Sequence, residues 1–184
     1  MITGLVLAAG NSVRFGGGRA KQLLPYGGRT LLEASLTVAL SAGFDELIVT
    51  IRPELAERVD LGGAKAVPTV GTGCGSSVSA GVSAVSPRSD GIVLLLGDQP
   101  GVSLQAIHAV RSTGAPVAVG RYDDGLGHPF WFGRALFGAL RALHGDKAVW
   151  KLLHSGPFAE VPVAGPVPID VDTPADYERL LRVR

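Results

Sequence analysis

One cysteine and no long apolar run limit what this chain can be. Cys74 is the single cysteine of 184 residues, which excludes an internal disulfide framework and disfavours a thiolate metal site. No apolar run approaches the roughly 20 residues that span a bilayer, and the N-terminus lacks the charged start and long apolar core of a signal peptide. We therefore expect a cytoplasmic protein without a membrane partner.

Acidic residues are missing from the beginning of the chain. Glu33 is the first acid, and Arg14, Arg19, Lys21 and Arg29 all precede it. Over the whole chain, Lys+Arg 17 and Asp+Glu 16 nearly cancel, so we expect no nucleic-acid partner. A local cluster of cations beside glycines is instead typical of a site for a small anion.

Apolar runs alternate with helix-like segments, and 46% hydrophobic residues suit one domain with a sizeable core. Strands are predicted at 2–8, 47–51, 65–68, 91–96 and 116–120, and helices at 29–43, 53–60, 76–86, 103–113, 134–143, 147–154 and 174–183. Continuous apolar strands between helices predict a parallel sheet covered on both faces. The aromatic run at 128–133 and the Pro-rich run at 161–169 predict an added hairpin or edge strands.

The first candidate site is the stretch LAAGNSVRFGGGRAK, which follows the first predicted strand. Ligands of doubly wound folds lie outside such carboxyl strand ends. The stretch matches neither the P-loop nor the G-x-G-x-x-G fingerprint. Two interpretations stay open at this point. Either the backbone of 8–11 cradles a phosphate-bearing ligand that Arg14 and Lys21 reach, or the stretch is a solvated connection.

Two acidic stretches, LLLGDQP and IDVDTPADY, hold candidate metal ligands. Asp98 follows a buried strand and could hold Mg²⁺ against phosphate oxygens, or could form a turn. Asp172 could be a second ligand, or could cap the helix that Thr173 and Pro174 open. Asp170 lies two positions before Asp172. We interpret this spacing as placing the two carboxylates on opposite sides of a strand, so we expect only one of them to face a shared metal.

A third stretch, GTGCGSSVSAGVSAV, is a glycine loop that enters a helix of small residues. Its start offers N–H donors, and the hydroxyls of Ser76 and Ser77 could bind a polar ring edge. No histidine neighbours Cys74 in the sequence, so we interpret it as a small loop residue and not as a nucleophile. In GLGHPFWF, His128 could contact an anionic second substrate or could fix a turn.

Together these motifs resemble one family. LAAGNSVRFGGGRAKQLLPYGGRTLLE is similar to the opening of MobA-like NTP transferases, the nucleotidyltransferases related to molybdenum-cofactor guanylyl- and cytidylyltransferases. GDQP, GHP and DVDTPADY resemble the later motifs of the cytidylyltransferase branch. The resemblance implies a single α/β nucleotidyltransferase domain over 1–184: a Rossmann-like three-layer sandwich with a mostly parallel central sheet and a small added hairpin.

The same resemblance implies a reaction and its partners. CMP would pass from CTP to the terminal phosphate of molybdopterin with Mg²⁺ as cofactor, pyrophosphate would leave, and a molybdenum hydroxylase would receive the product. Residues 8–10 of the opening motif are A-A-G, as in cytidylyl-transferring relatives. Guanylyl-transferring relatives typically have L-A-G-G at the corresponding place. The side chain of Ala9 would narrow the space beside the base and favour a pyrimidine.

Site residues carry over by position. The nucleotide would bind Leu7, Ala8, Ala9, Gly10, Arg14, Lys21, Gly73, Ser76 and Ser77. Arg14, Lys21 and Asp98 would be catalytic, Asp98 and Asp172 would hold the metal, and His128 and Pro129 would contact the acceptor. Gly75 departs from the run of serines that is usual in the family.

Three alternatives remain open. The chain could be a nucleotidyltransferase of the same fold that uses GTP or another acceptor. It could be an NAD(P)H-dependent reductase, because some similar sequences are known as reductases of a blue pigment of nicotine breakdown, although the missing G-x-G-x-x-G disfavours this. It could also be a non-catalytic cofactor carrier, which would have no need of two acids and two cations.

Overall fold

A seven-stranded sheet forms the centre of the computed structural model, which describes residues 1–16, 20–70 and 73–183. Its strands are β1 Ile2–Ala8, β4 Glu46–Ile51, β5 Lys65–Pro68, β6 Gly91–Leu96, β7 Val117–Tyr122, β8 Gly125–Gly133 and β9 Ala159–Pro162. A separate small hairpin consists of β2 Pro25–Tyr26 and β3 Arg29–Thr30. The sheet order is β5-β4-β1-β6-β8-β7-β9, and among the described strands of this sheet β8 alone runs antiparallel to its neighbours.

The five predicted strands are all present, with ends that differ by two residues at most. The added hairpin is β7–β8, but it does not lie at an edge. Strand β8 is inserted between β6 and β7, because Phe130, Trp131 and Phe132 pair with both strands and are buried in the core. The aromatic run is therefore a central strand of the sheet, and β9 forms the edge.

The helices are α1 Leu31–Ser41, α2 Pro53–Ala56, α3 Cys74–Ser83, α4 Leu104–Arg111, α5 Phe137–Arg141, α6 Ala148–Leu153 and α7 Pro174–Arg182. Helix α1 begins two residues later than predicted, because Arg29 and Thr30 pair in the β2–β3 hairpin and Thr30 forms a capping box with Glu33. The helix predicted at 53–60 is a single turn.

Helices cover both faces of the sheet, which confirms the Rossmann-like three-layer sandwich. Leu36 of α1 and Ile107 of α4 belong to the core on one face, and Val78 of α3, Leu140 of α5 and Leu153 of α6 belong to the core on the other. No helix in the described part of the chain is both long and apolar enough to cross a membrane.

Strand order reverses at β1, whose neighbours are β4 and β6. The ends of β1 and β6 are held together there, because the Gly97 N–H donates to the Leu7 carbonyl over 2.9 Å. The segment 163–173, which contains no strand, crosses the same edge, and the Val171 N–H donates to the Asp98 carbonyl over 3.1 Å. The fold thus brings the beginning, middle and end of the chain to the edge where ligands of this architecture bind.

Candidate active site

A cavity of about 650 Å³ opens at this edge of the sheet. Residues 7–12 and the cations Arg14 and Lys21 line one side, and Asp98, Asp170 and Asp172 lie beside those cations. The start of α3 and residues of β8 and α6 form the remaining walls. Its size suits a small-molecule ligand of nucleotide dimensions.

The loop after β1 is shaped by Gln22. The side-chain amide of this buried residue donates to the carbonyls of Ala8 and Gly10, both over 3.0 Å. The Lys21 N–H donates to the hydroxyl of Ser12 over 3.1 Å. These bonds hold residues 8–12 against Lys21 and Gln22. Gln22 was not identified as a site residue from the sequence. Its position directly after Lys21 is the feature that could have indicated a role in this loop.

Lys21 lies between two carboxylates. Its Nζ is 2.6 Å from Asp98 Oδ2 and 2.8 Å from Asp172 Oδ1, and its side chain is 9% exposed. Arg14, which is largely exposed, reaches Asp172 Oδ2 over 3.1 Å. The two predicted cations and the two predicted acids therefore meet in one cluster. Arg19, the other cation of this loop, lies outside the described residues.

Burial and charge act in opposite directions within this cluster. Burial opposes the charge of Lys21, but the Asp98 and Asp172 carboxylates outweigh it and raise the pKa of Lys21 above its ordinary value. Burial also raises the pKa of Asp98, against the effect of Lys21. Asp98 Oδ1 is buried and has no hydrogen-bond partner among the described residues. The Asp98 carboxylate thus needs an adjacent cation, and one of its oxygens remains available.

Asp172 does not cap α7. The cap is Thr173, whose hydroxyl accepts from the Asp176 N–H while the Asp176 carboxylate accepts from the Thr173 N–H. Asp170 lines the same cavity as Asp172, and both carboxylates act on the pKa of Asp98. The expectation that only one of them faces the site is wrong, because residues two apart on an extended segment point to the same side.

Two side chains hold the segment that carries these acids. Gln99 is 4% exposed and donates from Nε2 to the Pro168 carbonyl over 2.6 Å. Asp124, in the turn between β7 and β8, accepts from the Val167 N–H over 2.7 Å. The position of Asp172 thus depends on residues that are distant in the sequence, and no local pattern indicates this pairing.

The start of α3 packs closely against the loop before α6. The Gly75 N–H donates to the Gly145 carbonyl over 3.0 Å, and a Cβ at Gly75 would lie 2.7 Å from the backbone of His144. This contact leaves no room for a side chain at position 75, which gives a physical reason for the glycine there. Gly73, with a φ of 88°, and Ser77 line the cavity, whereas the structure does not place Ser76 in its lining.

Cys74 lines the cavity as the first residue of α3. Burial raises the pKa of its thiol, and the carboxylates of Asp146 and Asp98 add to that rise. A protonated thiol is a poor nucleophile. This environment supports the interpretation of Cys74 as a small structural residue.

An aromatic wall, formed by His128, Phe130 and Trp150, lies along the cavity. His128 stacks on Phe130 with ring centroids 3.9 Å apart, and Trp150 meets Phe130 edge-on at 5.1 Å. The Tyr122 hydroxyl donates to the His128 carbonyl over 2.6 Å. Pro129 is buried and is not part of the described lining. Trp150 was not identified from the sequence.

Burial lowers the pKa of His128 to about 3. An unfolded chain binds a proton on His128 near pH 6.5, whereas the folded chain does so only near pH 3. The contribution of neutral His128 to the free energy of unfolding should therefore be complete above pH 6.5 and should fall as the pH drops toward 3. Between pH 6 and pH 5 we expect His128 to account for about 1 kcal/mol of lost unfolding free energy. Urea unfolding of wild type and His128→Gln at both pH values measures the difference, and His108→Gln, on the exposed surface of α4, is the matched control. Equal losses in wild type and His128→Gln would contradict this.

The cluster fits a divalent cation. Asp98, Asp170 and Asp172 offer carboxylate oxygens, which hard cations such as Mg²⁺ prefer, and Asp98 Oδ1 is uncommitted. Within the described ranges, three or more acidic, His or Cys side chains nowhere converge as a ready metal cage. The Asp98 and Asp172 carboxylates converge on the Lys21 ammonium instead.

Several known proteins are similar to this chain in sequence or in structure. The chain is 33% identical to the purine catabolism protein PucB of Bacillus subtilis (strain 168), over 98% of this chain and 96% of PucB. It is 35% identical to nicotine blue oxidoreductase of Paenarthrobacter nicotinovorans over 111 residues, which are 58% of this chain and 53% of that protein. Rv0371c of Mycobacterium tuberculosis H37Rv, solved in complex with manganese, is 47% identical with a TM-score of 0.89, over 100% of this chain and 99% of that one.

A family model describes most of the chain. The match covers residues 4–161, which include the loop after β1, Lys21, Asp98 and the aromatic wall. Together with the seven-stranded, mostly parallel sheet and the cavity at its carboxyl edge, this match decides the family. The chain belongs to the MobA-like NTP transferase domain family, and it is a nucleotidyltransferase of that family.

Proposed function

We propose that this nucleotidyltransferase transfers CMP from CTP to the terminal phosphate of a molybdopterin-type acceptor, with Mg²⁺ as cofactor. The observation that carries the proposal is the cluster of Arg14, Lys21, Asp98 and Asp172. This cluster lines the same cavity as the loop after β1 and the aromatic wall. Cations for phosphates and carboxylates for a metal are the two elements that phosphoryl chemistry needs in one place.

The proposed reaction is an in-line displacement. An acceptor phosphate oxygen attacks the α-phosphorus of CTP, a new P–O bond forms, and the bond to the bridging oxygen breaks with its electron pair leaving on pyrophosphate. Arg14 and Lys21 bind the phosphates and stabilise the charge that grows on the leaving group. The backbone of residues 8–10 holds the nucleotide, and no protein nucleophile is required. The chain positions the reactants and supplies charge.

Asp98 and Asp172 are the proposed metal ligands, and Asp170 lines the same cavity. When bound, Mg²⁺ neutralises charge on the phosphate oxygens. The manganese complex of a relative with 47% identity supports a divalent cation. The family match ends at residue 161, yet Asp172 belongs to the ion-pair cluster and α7 follows it directly, so we propose that residues 1–184 act as one nucleotidyltransferase domain.

His128 and Pro129 are the proposed contacts for the acceptor, although Pro129 is buried outside the described lining, and Trp150 adds a second aromatic ring to the wall. Since burial lowers the pKa of His128 to about 3, the wall is uncharged at neutral pH. An uncharged aromatic surface suits the planar ring of a pterin, while the acceptor phosphate points toward the cations. The product would then pass to a molybdenum hydroxylase.

Ala9 gives a prediction about the base. Its side chain is 5% exposed and lines the cavity, so it occupies space beside the proposed base. Ala9→Gly should raise the ratio of GTP to CTP use by about tenfold, the scale of one methyl group in a pocket. Competition between the two nucleotides at equal concentration measures the ratio. An unchanged ratio would exclude Ala9 as a determinant of base choice.

Pyrophosphate release tests the proposed reaction. The protein is incubated with Mg²⁺, molybdenum cofactor and CTP, GTP, ATP or UTP in separate reactions. Release with CTP alone is the expected result. Release with GTP keeps the mechanism and overturns the base, and release with none of the four favours another acceptor or a cofactor carrier.

A second candidate function is reduction of a pigment by NAD(P)H. The similarity to nicotine blue oxidoreductase over 111 residues favours it. The site gives it less support, because hydride transfer has no need of the Lys21 and Asp98 pair. Loss of NAD(P)H absorbance in the presence of the pigment, without nucleoside triphosphate, would decide for this candidate.

A further inference from the structure

The space between Asp98 and Asp172 is filled by an ammonium group. Lys21 Nζ lies 2.6 Å from one carboxylate and 2.8 Å from the other, which are hydrogen-bonding distances. These are the same two side chains that carry the proposed metal site. The Lys21 ammonium thus occupies the space between the two proposed metal ligands.

A divalent cation and the Lys21 ammonium cannot both occupy that space. Two positive centres a few ångströms apart repel strongly at a buried site, where solvent screens charge poorly. The Lys21 side chain is 9% exposed and Asp98 is 17% exposed, so the pair is well shielded. Metal binding therefore requires the ammonium to move away from at least one carboxylate.

The chain is built so that the ammonium can move while the backbone stays. The Lys21 N–H is held by Ser12, and Gln22 holds the loop after β1. The four-carbon stem of lysine carries a compact charge that can turn to a new partner. Arg14 lies 3.1 Å from Asp172 Oδ2, so this carboxylate has a second cationic partner besides Lys21. Triphosphate oxygens in the cavity would give the Lys21 ammonium an alternative partner.

We propose that Lys21 is an internal counter-cation that excludes the divalent metal until a nucleoside triphosphate draws it away. Nucleotide and metal then bind cooperatively, and each raises the affinity for the other by the same factor. The proposal rests on the proposed function in one respect, which is that the cavity binds a triphosphate. Its effect on metal binding alone does not depend on any transfer reaction.

Asp98 gives the proposal a second support. Lys21 satisfies Asp98 Oδ2, while Oδ1 is buried without a partner in the described part of the chain. An ammonium therefore leaves the site incompletely paired. A divalent cation, which accepts several oxygen ligands, would offer a partner that the lysine does not supply.

Titration of Mn²⁺ tests the proposal. The electron paramagnetic resonance signal of the free ion is followed, and a titration without protein is subtracted to remove the Mn²⁺ that a nucleotide analogue binds by itself. For wild type we expect weak Mn²⁺ binding without nucleotide and at least about tenfold tighter binding with α,β-methylene-CTP, within the usual range of coupling between sites. Lys21→Met should bind Mn²⁺ without nucleotide about tenfold more tightly than wild type, and the analogue should then add little.

Lys147→Met is the matched control. Lys147 also lines the cavity and its loss removes one positive charge, but it is not among the ion-pair partners of Asp98 and Asp172. The gain in Lys21→Met should clearly exceed that in Lys147→Met. Adding Asp98→Asn to Lys21→Met should abolish the gain, which assigns it to this site, and circular dichroism verifies the fold of each variant.

Two results would overturn the proposal. One is Mn²⁺ binding by Lys21→Met that is no tighter than by wild type, and the other is wild-type affinity that the nucleotide analogue leaves unchanged. Failure of the proposed function is distinguishable, because it is an absence of pyrophosphate release. A tighter Mn²⁺ site in Lys21→Met together with absent release would keep the counter-cation and reject the transfer of CMP.

Discussion

Asp98→Ala should lower the turnover of nucleotidyl transfer by about two to four orders of magnitude, the scale of one preorganised electrostatic contact. The variant loses a proposed metal ligand and the carboxylate that lies 2.6 Å from Lys21 Nζ. The fold should persist, because the bond between the Val171 N–H and residue 98 involves the backbone carbonyl. Pyrophosphate release under saturating CTP measures turnover, and circular dichroism measures the fold.

Asp146→Ala is the control for Asp98→Ala. Asp146 also lines the cavity, but it is exposed and stands apart from the cluster on Lys21. We expect Asp146→Ala to lose much less turnover than Asp98→Ala. A near wild-type rate in folded Asp98→Ala would show that Asp98 is neither a metal ligand nor part of the catalytic cluster.

Lys21→Ala should also reduce turnover by about two to four orders of magnitude, because it removes the buried cation nearest to the proposed phosphates. Its fold should survive. Arg14 still lies 3.1 Å from Asp172 Oδ2, and burial raises the pKa of Asp98, so a proton can neutralise that carboxylate when the lysine is absent. Turnover with CTP measures the loss.

Lys21→Arg gives a sharper form of this prediction. A planar guanidinium is larger than the ammonium and does not fit a position that is 9% exposed between two carboxylates, so we expect little rescue. Lys147→Ala, which removes a cation elsewhere in the cavity, is the control. Wild-type turnover in Lys21→Ala would remove Lys21 from the catalytic assignment.

The parallel half of the fold could be predicted from the sequence because its signals are local. A short apolar run such as 91–96 indicates a buried strand before its partner strands are known. Helices between such runs indicate a parallel sheet that is covered by helices on both faces. Once the strands are assigned, Ala8 and Asp98 must lie near each other, since parallel strands end at one edge. The meeting of Lys21 with Asp98 follows from that geometry.

Long-range pairing could not be predicted in the same way. The place of β8 between β6 and β7 depends on which strands its aromatic residues pack against, and a run of apolar residues does not encode this. Likewise, the bond from Gln99 to the Pro168 carbonyl joins residues far apart in the chain. The error about Asp170 had another cause, because the two-residue period was assigned to opposite sides of the chain instead of to one side.

The fate of the α-phosphate of CTP distinguishes transfer of CMP from hydrolysis and from binding alone. The protein is incubated with Mg²⁺, a molybdopterin-type acceptor and CTP labelled at its α-phosphorus, and the products are separated. We expect the label to move to the acceptor and one pyrophosphate to be released for each label transferred. Label that remains in CTP, or that appears only in free CMP, would exclude transfer of CMP to this acceptor.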